Sequence, residues 1–265
     1  MNIYEAVLDL QKSGFSGALC TILETHGSVP RHTGSKMLVK EDGTLVGSVG
    51  GGGIENRVSQ EALQVIQDGK PRKLNYKMVD PNAGDPGICG GQAEVYVEPI
   101  LPKPQVVVVG AGHVGKAVVH LAKWLGFKVV LSDDRGEFCN AQMTPGADEY
   151  LICRMSEIPQ KMHINRQTYF ILTTRGVPID TDGLPPLLET PAPYIGVIGS
   201  KKRWITTRRN LLANGVGETE LGKVISPIGL ELKAETPEEI AVSIMAEVMM
   251  IKNDASGKQM TMQQS

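Results

Sequence analysis

The residues best suited to bind a charged ligand form the motif GAGHVG, which comprises Gly110, Gly112, His113 and Gly115 and follows the valines at 106–109. The first glycine permits a tight turn, the second lets an anion approach the main chain, and the third lets a helix pack close to a strand. A helix that begins here presents free N–H groups and a partial positive charge to a phosphate. The spacing therefore predicts an anion-binding turn between a strand and a helix.

The flanking residues have the pattern of a β-α-β unit. Residues 106–109 are β-branched, as in a strand buried on both faces, and apolar residues then recur at helical spacing until Gly126. Residues 128–131 form a second strand, and Asp133 follows its end, about 20 residues after the motif, where a carboxylate can accept hydrogen bonds from a ribose 2′-hydroxyl. These elements together predict a Rossmann unit. Whether it holds a dinucleotide, another phosphorylated ligand or none stays open.

Composition narrows the class of protein. The chain has 265 residues, enough for two modest domains, with 41% hydrophobic and 21% charged residues. Its formal net charge is -2 and its pI is about 6.2, so no basic field favours nucleic acid or an anionic membrane as a partner. The first residues lack the features of a secretory signal, and no stretch is apolar enough to span a membrane. We therefore expect a cytoplasmic protein.

The four cysteines do not have the spacing of a metal site. Cys20, Cys89, Cys139 and Cys153 form no CxxC pair and no pattern with histidine, so we predict reduced thiols and no bound metal. Cys20 lies in an apolar strand and is expected in the core. Cys89 lies in a polar, glycine-rich loop, where a thiol is either reactive or an incidental small side chain.

A second glycine-rich segment precedes a helix in the first half of the chain. After Gly50, Gly51 and Gly52, apolar residues recur at helical spacing: Ile54, Val58, Ala62, Val65 and Ile66. This many glycines cost backbone entropy, which indicates that another group comes close to the main chain. The segment is either a cradle for an anion or a tight turn without a ligand. In the preceding polar loop, His26 and Arg31 could donate charge-assisted hydrogen bonds or remain solvated.

A proline-rich connector separates two predicted domains. Residues 101–104 contain two prolines, so we place a small α+β domain at 1–100 and a Rossmann-like domain with a doubly wound parallel sheet at 105–265. The fold class is thus α/β.

Further elements are predicted within the second domain. Residues 174–183 indicate a polar loop before a short helix at 184–188, and Arg203 belongs to a basic helix start that either attracts an anion or is solvated. Thr236 and Glu239 predict a capping box for a last helix. We expect the apolar face of that helix to comprise Ala241, Ile244, Met245, Val248 and Met249.

Three groups of motifs together resemble the XdhC/CoxI family of xanthine dehydrogenase accessory proteins. They are THGSVPRHTGSKM with GSVGGGGIE, DPGICGG, and GAGHVG with SDDR, and the resemblance extends over nearly the whole chain through TRGVPID, YIGVIGSKKR and PIGLELKAETPEEIA. The resemblance implies a role in maturing molybdenum hydroxylases. It implies binding of molybdenum cofactor, exchange of its terminal oxo group for a sulfido group with a cysteine desulfurase, and delivery to the apo-enzyme.

The resemblance also marks site residues in both domains. In the first domain they are His26, Arg31, Gly50, Gly51, Gly52, Glu55, Asp85 and Cys89. In the second domain they are Gly110, Gly112, His113, Gly115, Asp133 and Arg135. Two positions depart from the family: Gly53 stands where CoxI-type relatives carry a cysteine, and Val177 stands where a histidine often follows the glycine. We assign no chemistry to either position.

Three functions stay open. A cofactor carrier and insertion chaperone without turnover of its own is favoured by the resemblance and by the lack of motifs such as GxSxG or HExxH. An oxidoreductase would instead bind NAD(P) in the Rossmann unit and use His113 or a first-domain residue as acid or base, with Asp133 and Asp134 favouring NAD over NADP. A scaffold would bridge the desulfurase and the target enzyme. We expect a homodimer, because two small domains leave a cleft that a second copy of the chain could close.

Overall fold

The computed structural model describes residues 2–77 and 91–260. Contacts within the chain divide it into a first unit, Met1–Lys103, and a second unit, Pro104–Ser265. The division falls inside the proline-rich segment at 101–104. Each unit has its own hydrophobic core.

The first unit is an antiparallel sheet with two helices. Its elements are α1 (Ile3–Ser13), β1 (Gly17–His26), β2 (Lys36–Lys40), β3 (Leu45–Gly47), α2 (Gly52–Asp68), β4 (Arg72–Lys77) and β5 (Gln92–Ile100). The strand order is β3-β2-β1-β5-β4, and each neighbouring pair is antiparallel. This arrangement confirms the predicted mixed α/β character of the first half.

Helix α2 covers one face of this sheet. All five apolar residues predicted for its inner face are buried: Ile54, Val58, Ala62, Val65 and Ile66. They pack against Cys20 and Ile22 of β1 and Val95 of β5. Burial raises the pKa of the Cys20 thiol to about 12, so this cysteine is an unreactive core residue, as predicted.

The second unit is a six-stranded parallel sheet with helices on both faces. Its strands are β6 (Gln105–Val109), β7 (Lys128–Asp133), β8 (Glu149–Ile152), β9 (Thr168–Leu172), β10 (Tyr194–Val197) and β11 (Val224–Ile225). Its helices are α3 (His113–Trp124), α4 (Ile158–Lys161), α5 (Val177–Leu188), α6 (Lys201–Ala213), α7 (Glu218–Leu221) and α8 (Pro237–Lys252), with a 3-10 turn at Met155–Glu157. The strand order is β11-β10-β9-β6-β7-β8, which is that of a Rossmann fold and confirms the prediction.

Alternate residues of the strands point into two separate cores. Val106 and Val108 of β6 pack with α3 and α8 on one face, whereas Val107 and Val109 pack with α5 and α6 on the other. Strands buried on both faces require continuous apolar runs, which is why β6 reads as four valines. Among residues 2–77 and 91–260, no helix is long and apolar enough to cross a membrane.

Two predictions for the second unit are corrected by the structure. The predicted polar loop at 174–183 is wrong over most of its length, because α5 already begins at Val177. Pro178 lies in the first turn, where a missing N–H costs nothing, and the polar Asp180 is fully buried. Met249, predicted on the buried face of α8, is 40% exposed, while the other four predicted residues are buried. The capping box of Thr236 and Glu239 is confirmed.

Candidate functional site

The sheet of the second unit creates a crevice at the carboxyl ends of its strands. The chain runs from β6 to β7 on one side and places β9 on the other side, so the strand order reverses at β6. Ligands of open α/β sheets bind in the crevice at such a point. A pocket of about 160 Å³ lies there. Its lining includes Gly110, Gly112, Asp133, Arg135, Cys153, Arg154 and Arg175.

The three glycines of the GAGHVG turn have different structural roles. Gly110 has a φ of 114°, and a Cβ there would lie 2.6 Å from the Thr173 carbonyl oxygen. A Cβ at Gly115 would lie only 1.9 Å from the Gly110 carbonyl oxygen, so this glycine lets α3 pack against the turn. A Cβ at Gly112 would meet no atom within 4 Å. Gly112 thus leaves open space in front of the α3 N-terminus, and the first turn of α3 has no acidic residue.

Asp133 is held by donors from three groups. Its Oδ2 accepts hydrogen bonds from the Ala111 N–H and the Arg135 Nη2, both at 2.9 Å, and its Oδ1 accepts from the Arg135 N–H at 3.0 Å and Nε at 2.9 Å. The residue is only 5% exposed. Burial would raise the pKa of the carboxyl group, but the Arg135 and backbone hydrogen bonds outweigh it and lower the pKa to about 2.

This arrangement bears on the predicted ribose contact. A carboxylate offers about four lone-pair positions to donors, and four donors already surround Asp133. The carboxylate therefore braces the turn between β6 and β7. It has no acceptor position left for a ribose hydroxyl while Arg135 stays in place.

His113 does not line the crevice. It lies on a groove between α3 and α8 together with Lys116 and His120 of α3 and Glu238 of α8. The structure thus separates His113 from Gly110 and Gly112, its neighbours in the motif. A role for His113 as acid or base toward a ligand in the crevice finds no support in this placement.

A buried ion pair fixes the far side of the crevice. Arg203, at the start of α6, donates from Nε and Nη2 to the Asp180 Oδ2 at 3.0 and 2.7 Å. It also donates to the carbonyl and hydroxyl oxygens of Thr174, at 3.1 and 2.7 Å. The carboxylate of Asp180, which also accepts from the Thr174 hydroxyl, answers the open question of the basic helix start for Arg203. The next residue, Arg175, lines the pocket and pairs with Asp134 at 2.7 Å.

Sequence reasoning missed Cys153, Arg154 and Arg175 as pocket residues. Cys153 and Arg154 directly follow β8, and Arg175 follows β9. The signal that could have found them is their position just beyond parallel strands, since those ends meet at one edge of the sheet. Cys153 is buried, with its Sγ 3.7 Å from the Ser132 hydroxyl oxygen, whereas the Arg154 side chain is 77% exposed.

In the first unit, the glycine-rich segments meet at one edge of the sheet. The antiparallel order places the ends of β1 and β3 beside the starts of β2 and β5, as the pairs His26–Gln92 and Met37–Gly47 show. A Cβ at Gly50 would lie 3.0 Å from the Pro30 Cγ, and one at Gly91 would lie 2.2 Å from the Ser28 carbonyl oxygen. The two polar loops and the glycine segment before α2 are therefore neighbours.

The glycine segment is braced from within. Gly50, Gly51 and Gly52 have φ angles of 142°, 73° and 59°, a run of positive values that only glycine adopts readily. The Glu55 Oε2 accepts hydrogen bonds from the Gly51 N–H at 3.1 Å and the Ser48 hydroxyl at 2.6 Å. A carboxylate thus already occupies the start of α2. This weakens the prediction of an anion cradle at these amides.

The remaining predicted residues of the first unit are less enclosed. The His26 Nε2 lies 3.1 Å from a Glu24 carboxylate oxygen with both side chains mostly exposed, and Arg31 is exposed. Asp85 and Cys89 lie outside the described residues, so their predicted roles stay predictions. The geometry of this unit brings its predicted loops together without forming an enclosed pocket among the residues named here.

The chain matches two related families of domains. Residues 106–248 match the XdhC Rossmann domain, and residues 10–77 match the XdhC and CoxI family. This chain belongs to the XdhC and CoxI family. The family predicted from the motifs is therefore confirmed, and both halves of this XdhC-type chain contribute to the match.

Individual relatives extend this result. YqeB of Escherichia coli K12, described as an uncharacterized protein, is 32% identical over 97% of this chain and 47% of its own length. A Bacillus subtilis 168 protein described as a probable xanthine dehydrogenase component is 30% identical over 58% of this chain and 45% of its own length. The chain spans about half the length of these two relatives at most. The molybdenum cofactor insertion chaperone PaoD of Escherichia coli K12 is 24% identical over 91% of this chain and 85% of its own length.

One solved structure shares the fold. A crystal structure of a xanthine dehydrogenase from Bacillus halodurans aligns with a TM-score of 0.51 over 100% of this chain and 98% of that chain. The two chains are 23% identical. At this identity the likeness concerns the fold of XdhC-type chains and not their ligands.

Proposed function

We propose that this protein is a maturation factor for a molybdenum hydroxylase of the xanthine dehydrogenase type. It binds molybdenum cofactor, supports its sulfuration and delivers it to the apo-enzyme, without a reaction cycle of its own. The observation that carries this proposal is the similarity to the insertion chaperone PaoD along 85% of that protein's length. The description of the Bacillus subtilis relative is consistent with a client of this type.

The crevice of the second unit is the proposed binding site. Molybdenum cofactor is an anionic pterin with a phosphate and a dithiolene, so it requires main-chain donors and positive charge. Gly112 leaves room for an anion at the α3 N-terminus, and Arg135, Arg154 and Arg175 lie on the pocket lining. These groups would bind and orient the phosphate and the polar edge of the pterin. Because Gly112 faces open space, a cargo bound there can also be released.

Three parts of the proposal concern partners and location. A cysteine desulfurase would supply sulfur, and Cys89 is the candidate residue to handle it. A homodimer and a cytoplasmic location remain part of the same proposal. Replacement of Cys89 by serine should lower the delivery of sulfido-cofactor, measured as the activity of the reconstituted client hydroxylase per bound molybdenum. Unchanged activity would remove the role of this thiol.

An NAD(P)-dependent oxidoreductase is the less favoured alternative. The four donors around Asp133 leave no acceptor for a ribose hydroxyl, and His113 lies outside the crevice. Both features argue against the arrangement that such an enzyme would use.

The direct test of the proposed function is a transfer experiment. Purified protein is incubated with released cofactor, separated by gel filtration, and mixed with the apo-form of a molybdenum hydroxylase. We expect the cofactor to co-elute with the protein and the hydroxylase to become active. Cofactor that never co-elutes, or a hydroxylase activated equally well by the same amount of free cofactor, would contradict the proposal.

A further inference from the structure

The side chain of Arg135 takes one acceptor position on each oxygen of Asp133. Its Nε donates to Oδ1 and its Nη2 donates to Oδ2, both at 2.9 Å. The two other positions are filled by main-chain N–H groups, one from Ala111 and one from Arg135 itself. Loss of the Arg135 side chain alone would therefore free one position on each carboxylate oxygen and leave the main-chain bonds intact.

Two free positions are what an unmodified adenosine ribose requires. In Rossmann dinucleotide sites the acidic residue after the second strand accepts hydrogen bonds from the ribose hydroxyls. Asp133 follows this placement at the end of β7, yet the guanidinium of Arg135 stands where the diol would bind. The guanidinium carbon also lies 4.3 Å from the centre of the Phe138 ring, a cation-π contact that holds it there.

We propose that Arg135 is a specificity-determining residue that closes the crevice to nucleotides with an unmodified ribose, NAD included. It does so by occupying the acceptor that the diol needs. The guanidinium has five N–H donors, and only two of its nitrogens contact Asp133. Its remaining donors, together with Arg154 and Arg175 on the same pocket, suit a ligand that brings an anionic group to this position instead.

The test is a gain of binding. NADH is titrated into the full-length wild type and into the variants Arg135→Ala and Arg135→Met, with binding followed by NADH fluorescence anisotropy. The wild type should show no saturation up to about 1 mM NADH, and both variants should bind at least about tenfold more tightly than the wild type. Methionine fills a volume similar to that of the arginine stem, so a gain with both variants comes from the freed carboxylate and not from added space.

NADPH provides the chemical control on the same variants. Its 2′-phosphate would face the freed carboxylate of Asp133, so neither variant should gain affinity for NADPH. Arg208→Ala serves as the protein control, because its partner Glu218 lies outside the pocket lining. It should behave as the wild type does.

Three results would overturn the inference: saturable NADH binding by the wild type, folded Arg135 variants with no gain, or an equal gain for NADPH. The inference rests on the proposed function only in treating this crevice as the ligand site. Retention of molybdenum cofactor by the wild type is measured separately, so failure of one claim leaves the other to be judged by its own result.

Discussion

Single residues decide whether the turn before α3 can hold a ligand. Gly115 and Gly112 stand three positions apart in one motif, but one is packed against main chain and the other faces open space. Asp133 and Arg135 complete the turn through four short hydrogen bonds. The chemistry available to a ligand is thus set by which of these groups already have partners.

Alanine at Gly115 should be strongly destabilising. Its Cβ would lie 1.9 Å from the Gly110 carbonyl oxygen, so α3 or the turn must shift. Overpacking of this kind costs about 1–3 kcal/mol or more, which we expect as a loss in the free energy of unfolding measured with urea. Alanine at Gly112 is the matched control, because its φ of −76° is ordinary and its surroundings are open. Equal stability of the two variants would contradict this account of the turn.

The Asp133 carboxylate should make stability depend on pH. Its pKa is about 2 in the folded state, below the ordinary aspartate pKa of 3.8 that applies to an unfolded chain. A lowered folded pKa means that the stabilising contribution is present above about pH 4 and is lost as the pH falls toward 2, and it amounts to about 2 kcal/mol.

Comparison with Asp133→Asn isolates this contribution. The difference in unfolding free energy between wild type and variant should be largest near neutral pH and should shrink between about pH 4 and pH 2 in urea titrations. A difference that stays constant over this range would show that the carboxylate charge is not what stabilises the turn.

At the scale of elements, α5 and α6 are joined to the end of β9 by one ion pair. Arg203 of α6 binds the buried Asp180 of α5 and both oxygens of Thr174, which precedes the pocket residue Arg175. The pair fixes the loop that carries Arg175. It also explains why a polar stretch forms a helix, since the carboxylate of Asp180 finds its charge partner inside the protein.

Removal of one member of this pair should be costly. We expect Asp180→Ala to lower the free energy of unfolding by about 3 kcal/mol, because the partly buried guanidinium of Arg203 loses its charge partner. Arg208→Ala breaks an exposed pair with Glu218 and should change stability by less than about 1 kcal/mol. Chemical denaturation of the two variants compares them directly, and a similar loss in both would refute a special role for the buried pair.

The sequence allowed some elements to be predicted and not others, for physical reasons. The α2 face, the α8 capping box and the strands around GAGHVG depend on local spacing, so they could be predicted. The identity of the residue that neutralises Arg203 depends on a partner 23 positions away, which no local pattern reveals. The same holds for Glu55, whose bonds to the glycine segment turn a predicted ligand cradle into a braced loop.

At the scale of the molecule, two units with separate cores carry the predicted site residues. The Rossmann order of the second unit follows from its repeated β-α-β pattern, so the crevice could be placed from the sequence. The meeting of loops in the first unit could not, because it depends on β1 pairing with both β2 and β5 across the sheet. The contributions of Asp85 and Cys89 stay predictions.

The proposed function depends on the crevice binding an anionic cofactor through main-chain amides at Gly112. This position accepts either aspartate or asparagine as a helix N-cap, since the backbone is extended and the space is open. The two variants have the same shape and differ only in charge. Both should therefore fold at least as stably as the wild type.

The most direct measurement is the retention of released molybdenum cofactor on gel filtration by wild type, Gly112→Asn and Gly112→Asp. We predict that the wild type and the asparagine variant retain the cofactor and that the aspartate variant loses it by at least about tenfold, because its carboxylate repels the phosphate. Equal retention by all three proteins, or retention by none, would contradict the proposed function.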